Sequence, residues 1–151
     1  EDVQRIGAES FKNTALEIVN LLSVQKMSSG AFSDCRNLKN VILGIGLTKI
    51  NKETFSGSSL LKDINLNYVK NIGKKAFYKC TSLKRANLES VETIEQDAFF
   101  NCIKLEEVVL PLNNEKAAKI KELILKQVGV GARENIKFIN DPIQKEEQKK
   151  Q

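Results

Sequence analysis

Apolar and polar positions alternate along this chain in a pattern that returns five times. Phenylalanines fall at Phe11, Phe32, Phe55, Phe77 and Phe99, spaced 21, 23, 22 and 22 residues apart. Five residues before each stands an aliphatic side chain (Ile6, Met27, Ile50, Ile72, Ile94), and three before that another (Val3, Val24, Leu47, Val69, Val91). A small residue directly precedes each Phe (Ser10, Ala31, Thr54, Ala76, Ala98), and another follows three positions later (Thr14, Cys35, Ser58, Cys80, Cys102). Units two to five then carry apolar residues six, nine and eleven after the Phe: Leu38, Val41, Leu43; Leu61, Ile64, Leu66; Leu83, Ala86, Leu88; Leu105, Val108, Leu110. Unit one shows the same set one residue early, as Leu16, Val19 and Leu21. A one-residue deletion there explains the spacing of 21, and an extra residue near Gly44-Ile45-Gly46 explains the 23. Self-similarity at a fixed period of this size marks a repeat architecture.

The period predicts the elements. Leu-x-x-Val-x-Leu ends in two apolar residues two apart, the alternation of a short half-buried strand. Ala-Phe-x-x-Cys is too short for a helix and predicts one tight helical or 3₁₀ turn. One unit cannot bury its own apolar side, whereas stacked units can, because equivalent side chains form continuous ladders. The expectation is an α/β solenoid of five units, at about 3–23, 24–46, 47–68, 69–90 and 91–112. Its parallel strands lie about 4.8 Å apart as a ribbon, with the short turns and the Phe ladder on the other side.

The period stops after Pro111-Leu112. Residues 115–128 then read as an amphipathic helix, with Ala117, Ile120, Ile124 and Val128 on one stripe that Leu123 widens. Asn113 or Asn114 is a candidate N-cap, and Gly129 and Gly131 supply a stop. Asn135 to Ile139 reads as one more strand. Residues 113–140 are therefore expected to cap the array, since a last repeat otherwise exposes its core. Residues 141–151, mostly Lys, Glu and Gln, are expected to be a disordered tail. No such cap precedes unit one, which suggests a fragment with earlier repeats removed.

The segment Ile72-Gly73-Lys74-Lys75-Ala76-Phe77-Tyr78-Lys79-Cys80-Thr81-Ser82-Leu83 closely resembles the signature of BspA-like leucine-rich repeats, also called the Treponema pallidum type. Met27 to Leu38 and Ile94 to Leu105 are near variants, and the resemblance extends over about residues 3–112. It departs after the strand, where the family often has Pro. Only Pro111 fits, with Gly44, Asn67 and Glu89 at the matching positions. The resemblance implies a leucine-rich-repeat solenoid and a surface or secreted protein used in adhesion to host matrix or other cells.

Composition narrows the function classes. The chain has no His, which removes the commonest general base and zinc ligand, and with them Ser-His-Asp and Cys-His catalysis. Net charge is +5: residues 1–112 carry 15 basic against 13 acidic side chains, and residues 113–151 carry 9 against 6. No dense basic cluster results, so nucleic acid is a poor expectation. No apolar run spans a membrane. No Asn-x-Ser/Thr sequon occurs.

Three sets of residues are candidates for function. Cys35, Cys80 and Cys102 share one column. Adjacent thiols could reach one another, but parallel ladder side chains make poor disulfide geometry and the count is odd, so free buried thiols packing as small apolar groups are expected. Lys39, Lys62 and Lys84 form a second column, either a stripe attracting acidic partners or sulfated sugars, or solvated edge charge that prevents aggregation. The third set is the outward strand face. Its two columns are Asn20, Ile42, Asn65, Asn87, Val109 and Ile18, Asn40, Asp63, Arg85, Glu107. From these, Ile42, Asp63, Asn65, Arg85, Asn87, Glu107 and Val109 are expected to contact a partner, with Ile42 and Val109 notable as aliphatics where solvent is expected. Catalytic, cofactor and metal sites are not expected. The functional expectation is a non-catalytic protein-interaction module of a surface protein; the alternative is an intracellular scaffold domain, which free cysteines would suit.

Overall fold

The computed structural model describes residues 2–150. Every turn of the chain contributes two short strands. In chain order these are β1 (Arg5–Ile6), β2 (Ile18–Leu21), β3 (Lys26–Met27), β4 (Asn40–Leu43), β5 (Lys49–Ile50), β6 (Asp63–Ile64), β7 (Asn71–Ile72), β8 (Arg85–Asn87), β9 (Thr93–Ile94) and β10 (Glu107–Val109). Helices α1 (Asn114–Gln127) and α2 (Val130–Arg133), strand β11 (Lys137–Ile139) and helix α3 (Pro142–Lys149) follow.

The main ribbon is six parallel strands in the order β11-β10-β8-β6-β4-β2. Its register pairs Val19 with Val41, Val41 with Ile64, Ile64 with Ala86, Ala86 with Val108 and Val108 with Phe138. The one-residue offset read for the first unit is therefore real, and β11 adds a sixth strand by placing Phe138 in the Val column. A second ladder, not foreseen from the pattern, runs through the residue before each aliphatic of the Ile6 column. It is split into β1-β3 and β5-β7-β9. Where the ladder is intact, a backbone N–H crosses each joint (Ser28 to Ile6 O at 2.9 Å, Gly73 to Ile50 O at 2.7 Å). At the break between β3 and β5, the Asn51 side-chain amide donates to the Met27 carbonyl instead. The extra residue of the Gly44–Gly46 loop falls in this same interval. Gly44 is held there by proximity: a Cβ would lie 1.9 Å from the Leu22 carbonyl oxygen.

The Phe column forms the core ladder. Successive rings stack 5.2, 5.8, 5.7 and 5.3 Å apart, within 15° of parallel. The turn that carries each ring differs from the helical turn expected. Residues two before and two after every Phe are left-handed: Glu9 and Asn13, Gly30 and Asp34, Glu53 and Gly57, Lys75 and Lys79, Asp97 and Asn101. The physical reason is a third hydrogen-bond ladder. In each of the first four turns, the N–H groups of Phe and of the residues two on either side donate to carbonyls of the following turn, at 2.7–3.1 Å. Seven of the eight intervening N–H groups, all but that of Ala31, close back on their own turn three residues earlier. A continuous helix would aim every N–H along its own axis and leave neighbouring turns unlinked. Eight of these ten left-handed residues are not glycine, so an inter-turn bond offsets a conformation that costs about 1–2 kcal/mol.

The C-terminal segment closes one end. Asn113 caps α1, its Oδ1 accepting the Lys116 N–H at 2.9 Å. Ala117, Ile120, Ile124 and Val128 are buried, the stripe the sequence predicts. Gln127 reaches the last turn of the array. Its Oε1 accepts the Phe99 N–H at 3.0 Å, and its Nε2 donates to Glu95 O at 3.0 Å. One side chain thus supplies the carbonyl that a sixth Phe turn would have offered. Two expectations need correction here. Gly131 lies inside α2 rather than ending a helix. Residues 142–149, expected within a disordered tail, form α3, because Asp141 caps it (Oδ1 accepts the Ile143 N–H at 3.2 Å) and Pro142 is preset for the first helical position. Asp141 is itself buried and bonded to Lys121 Nζ at 2.6 Å, which pins the start of α3 against α1.

Candidate functional site

The outer face of the ribbon is built by strand alternation. With the Val column turned inward, the flanking positions point out in register: Ile18, Asn40, Asp63, Arg85 and Glu107 in one row, and Asn20 beside Ile42, and Asn87 beside Val109, in the other. Asp63, Asn65, Arg85, Asn87, Glu107 and Val109 surround a shallow concavity of about 380 Å³. Asn67 also lines it, a residue the sequence reading passed over because it lies in the loop beyond the strand. Ile42 is not among the lining residues. It sits one strand over, 46% exposed, diagonal to Ile18 at 62%, so the aliphatic part of this face lies beside the polar hollow rather than within it.

The chemistry of the hollow is polar and mixed in sign. Arg85 Nη1 stands 3.7 Å from Asp63 Oδ1, both exposed, a pair worth at most about 1 kcal/mol. Glu107 adjoins Arg85 in register on the other side. The guanidinium is therefore flanked by two carboxylates and remains accessible.

The asparagines have a structural duty as well. Oδ1 of Asn65 accepts the Asn67 N–H at 3.0 Å, Oδ1 of Asn87 accepts the Glu89 N–H at 3.0 Å, and Oδ1 of Asn20 accepts the Leu22 N–H at 3.1 Å. Each closes the bend by which the chain leaves the ribbon. In the fifth turn the corresponding residue is Val109, and the residue two beyond is Pro111, which has no N–H to satisfy. The apolar Val109 thus stands where the turn makes no demand on it.

Two of the three lysines in the column face acids. Lys39 Nζ lies 3.2 Å from Glu17, and Lys84 Nζ lies 3.9 Å from Glu106, each carboxylate belonging to a neighbouring turn. At those two positions the edge charge is compensated in place, and Lys62 has no ion-pair partner among the described residues. The cysteine column is buried and free. Each Sγ donates to the Phe carbonyl of the turn before: Cys35 to Phe11 O at 3.0 Å, Cys80 to Phe55 O at 3.1 Å, Cys102 to Phe77 O at 3.2 Å. Ser58 does the same to Phe32 O at 3.4 Å. The column therefore wants a small donor, which unites Cys and Ser in one role. Burial raises the Cys80 thiol well above its ordinary range and pushes Cys102 up to about 12, so both stay protonated and keep donating. Among the described residues no group of three or more side chains is placed to hold a metal ion, and no helix is long and apolar enough to cross a membrane.

Comparison with known proteins places this geometry. Residues 4–124 match the family "BspA type Leucine rich repeat region", in six copies. None of the curated proteins compared matches the chain. Among solved structures, the leucine-rich-repeat protein of Treponema pallidum is 26% identical with a TM-score of 0.74, covering 91% of this chain and 63% of its own. A leucine-rich cell surface protein of Faecalibacterium prausnitzii is 31% identical with a TM-score of 0.66, covering 70% of this chain and 29% of its own. A leucine-rich-repeat protein of Bacteroides ovatus is 27% identical with a TM-score of 0.55, covering 74% and 36%. This chain spans less than two thirds of the length of each.

Proposed function

The chain belongs to the BspA-type leucine-rich-repeat family, and from that premise we propose that it is a non-catalytic adhesion module, displayed at a cell surface or secreted, that binds a host matrix or cell-surface protein through its strand ribbon. The observation that carries this reading is the hollow around Arg85, where the outward columns converge on one concave surface beside the exposed Ile18 and Ile42. A polar concavity next to an aliphatic patch suits a protein partner, with charge setting register and the aliphatics supplying buried area. The surface assignment draws on the F. prausnitzii relative, which is described as a cell surface protein. The free cysteines no longer favour an intracellular scaffold, since buried, protonated thiols are as inert in an oxidising compartment as in a reducing one.

The test is binding to immobilised matrix proteins by interferometry, comparing the parent with an Arg85→Glu, Glu107→Lys variant. These side chains make no turn bonds, so the fold should be unchanged by circular dichroism. At least a tenfold loss of affinity is expected. Undiminished binding would move the contact off the ribbon, and a parent that binds no matrix protein would end the adhesion reading.

A further inference from the structure

The opposite strand ladder carries a different electrostatic arrangement. Its outward column reads Arg5, Lys26, Lys49, Asn71, Thr93, so cations occupy the first three turns and neutral groups the last two. Arg5 and Lys26 are direct register partners on neighbouring strands. Like charges placed opposite one another on a sheet are destabilising. On the main ribbon three of the cations are answered across turns, in the pairs Lys39–Glu17, Lys84–Glu106 and Arg85–Asp63, and Lys62 alone of its column is not. Among the described residues, none of Arg5, Lys26 and Lys49 has such a partner. Residues 4–8, 25–29 and 48–52, which form this face in turns one to three, hold four basic side chains and no carboxylate. The fourth, Lys52, pairs with Glu53 at 3.9 Å.

A second observation falls at the same place. The ladder breaks between β3 and β5, and a depression of about 360 Å³ opens there, lined by Gln25, Lys26, Met27, Thr48, Lys49 and Asn51. Its size lies within the range of about 300–1,000 Å³ usual for bound small units. Asn51 spans the break through its Nδ2 and lines the depression together with Gln25 and Thr48.

We propose that this face binds a linear sulfated polysaccharide, with Arg5, Lys26 and Lys49 meeting successive sulfates along the solenoid axis and one sugar unit seated in the depression between β3 and β5. The cations form a line rather than a cluster, so the matching ligand is a polymer with repeated anionic groups. Gln25, Thr48 and Asn51 offer hydrogen bonds suited to hydroxyls. The same fifteen residues contain no aromatic side chain, so the stacking platform that single-stranded nucleic acid uses is missing. The surface is separate from the Arg85 hollow, and its failure would leave the ribbon reading untouched.

The experiment is titration calorimetry with a heparin-derived hexasaccharide at several salt concentrations. The parent is compared with two triple variants of equal charge change: Arg5→Gln, Lys26→Gln, Lys49→Gln, and Lys39→Gln, Lys62→Gln, Lys84→Gln. The first should weaken binding at least tenfold and flatten its salt dependence; the second should leave binding within about twofold. Equal losses in both would show attraction by net charge alone, and no loss in the first would place the ligand elsewhere; either overturns the proposal. So would a parent that does not bind at low salt. An oligonucleotide of matched charge binding as tightly as the hexasaccharide would overturn the glycan assignment. All of the substituted residues are exposed, and melting curves should show the first variant at least as stable as the parent, because it relieves like-charge stacking.

Discussion

The two ends of the solenoid meet the same demand with unequal means. At the C-terminal end Phe99 is fully buried, its N–H is taken by Gln127, and Ile120 and Ile124 cover the ladder. At the N-terminal end Phe11 is 39% exposed, Val3 and Leu22 lie beside it at 63% and 59%, and a cavity of about 590 Å³ opens between them and Phe32. The polarity of the Phe turn ladder explains why closing the first of these ends takes so little. All of its inter-turn N–H groups point toward the C-terminal end and all of its carbonyls toward the other. A cap at the donor end must therefore present acceptors, and one glutamine on a helix does so. At the acceptor end the matching carbonyls are those of Ala8, Ser10 and Lys12, so a cap there would have to present donors instead.

The comparison is tested most severely by the rings themselves. Phe77→Ala, in the middle of the stack, should cost about 3–5 kcal/mol, the usual loss for a fully buried aromatic. Phe11→Ala should cost far less, because the ring is already partly in water. Equal losses in urea denaturation would mean that the exposed end is as tightly packed as the interior, and the asymmetry would fall. Next comes the cap bond: Gln127→Ala leaves the Phe99 N–H without a partner and should cost about 1–3 kcal/mol. Amide exchange at Phe99 should speed up, and Gln127→Glu, which keeps an acceptor, should restore part of the protection. An unchanged Phe99 exchange rate would remove the glutamine from the account.

The remaining effect, confined to alkaline solution, is the one on pH. Cys102 has a folded value near 12 and an ordinary value of 9.0. The folded state therefore holds a proton that the unfolded state loses. Stability should be unaffected by this group below pH 9 and should fall above it, by about 1.4 kcal/mol for each unit until pH 12. Cys80 shifts in the same direction. Alkylation of native protein at pH 9 should accordingly be slow at both thiols. Rapid labelling of Cys102 would show that the capped end opens easily.

Much of this was legible in the sequence because a repeat reports the same physics five times. The Phe spacing gave the stack, the Val41 and Leu43 alternation gave the ribbon and its register, and the Ala117, Ile120, Ile124 stripe gave the cap helix. What stayed hidden depends on single long-range contacts. The left-handed positions are filled by Glu, Asn, Gly, Asp and Lys, with no common residue to betray the conformation. Gln127 and Asn51 act across 28 and 24 residues; Gln127 lies outside the repeat, and Asn51 stands where the signature has glycine, as at Gly73. The helix α3 hangs on the burial of Asp141, which a string of Lys, Glu and Gln does not announce. For the ribbon, the outward columns were readable but the turn-closing role of their asparagines was not, since an Asx turn and an unbonded face residue look alike in sequence.

That turn-closing role bears on how freely such a face could vary over time. A face position tied to its own turn, such as Asn65 or Asn87, is not free to drift: replacing it strips a partner from the amide two residues on. Val109 carries no such obligation, because Pro111 has removed the amide. A proline acquired at position 67 or 89 would release the asparagine before it for new contacts. The loop beyond each strand would then act as a licence for variation on the face, granted one turn at a time.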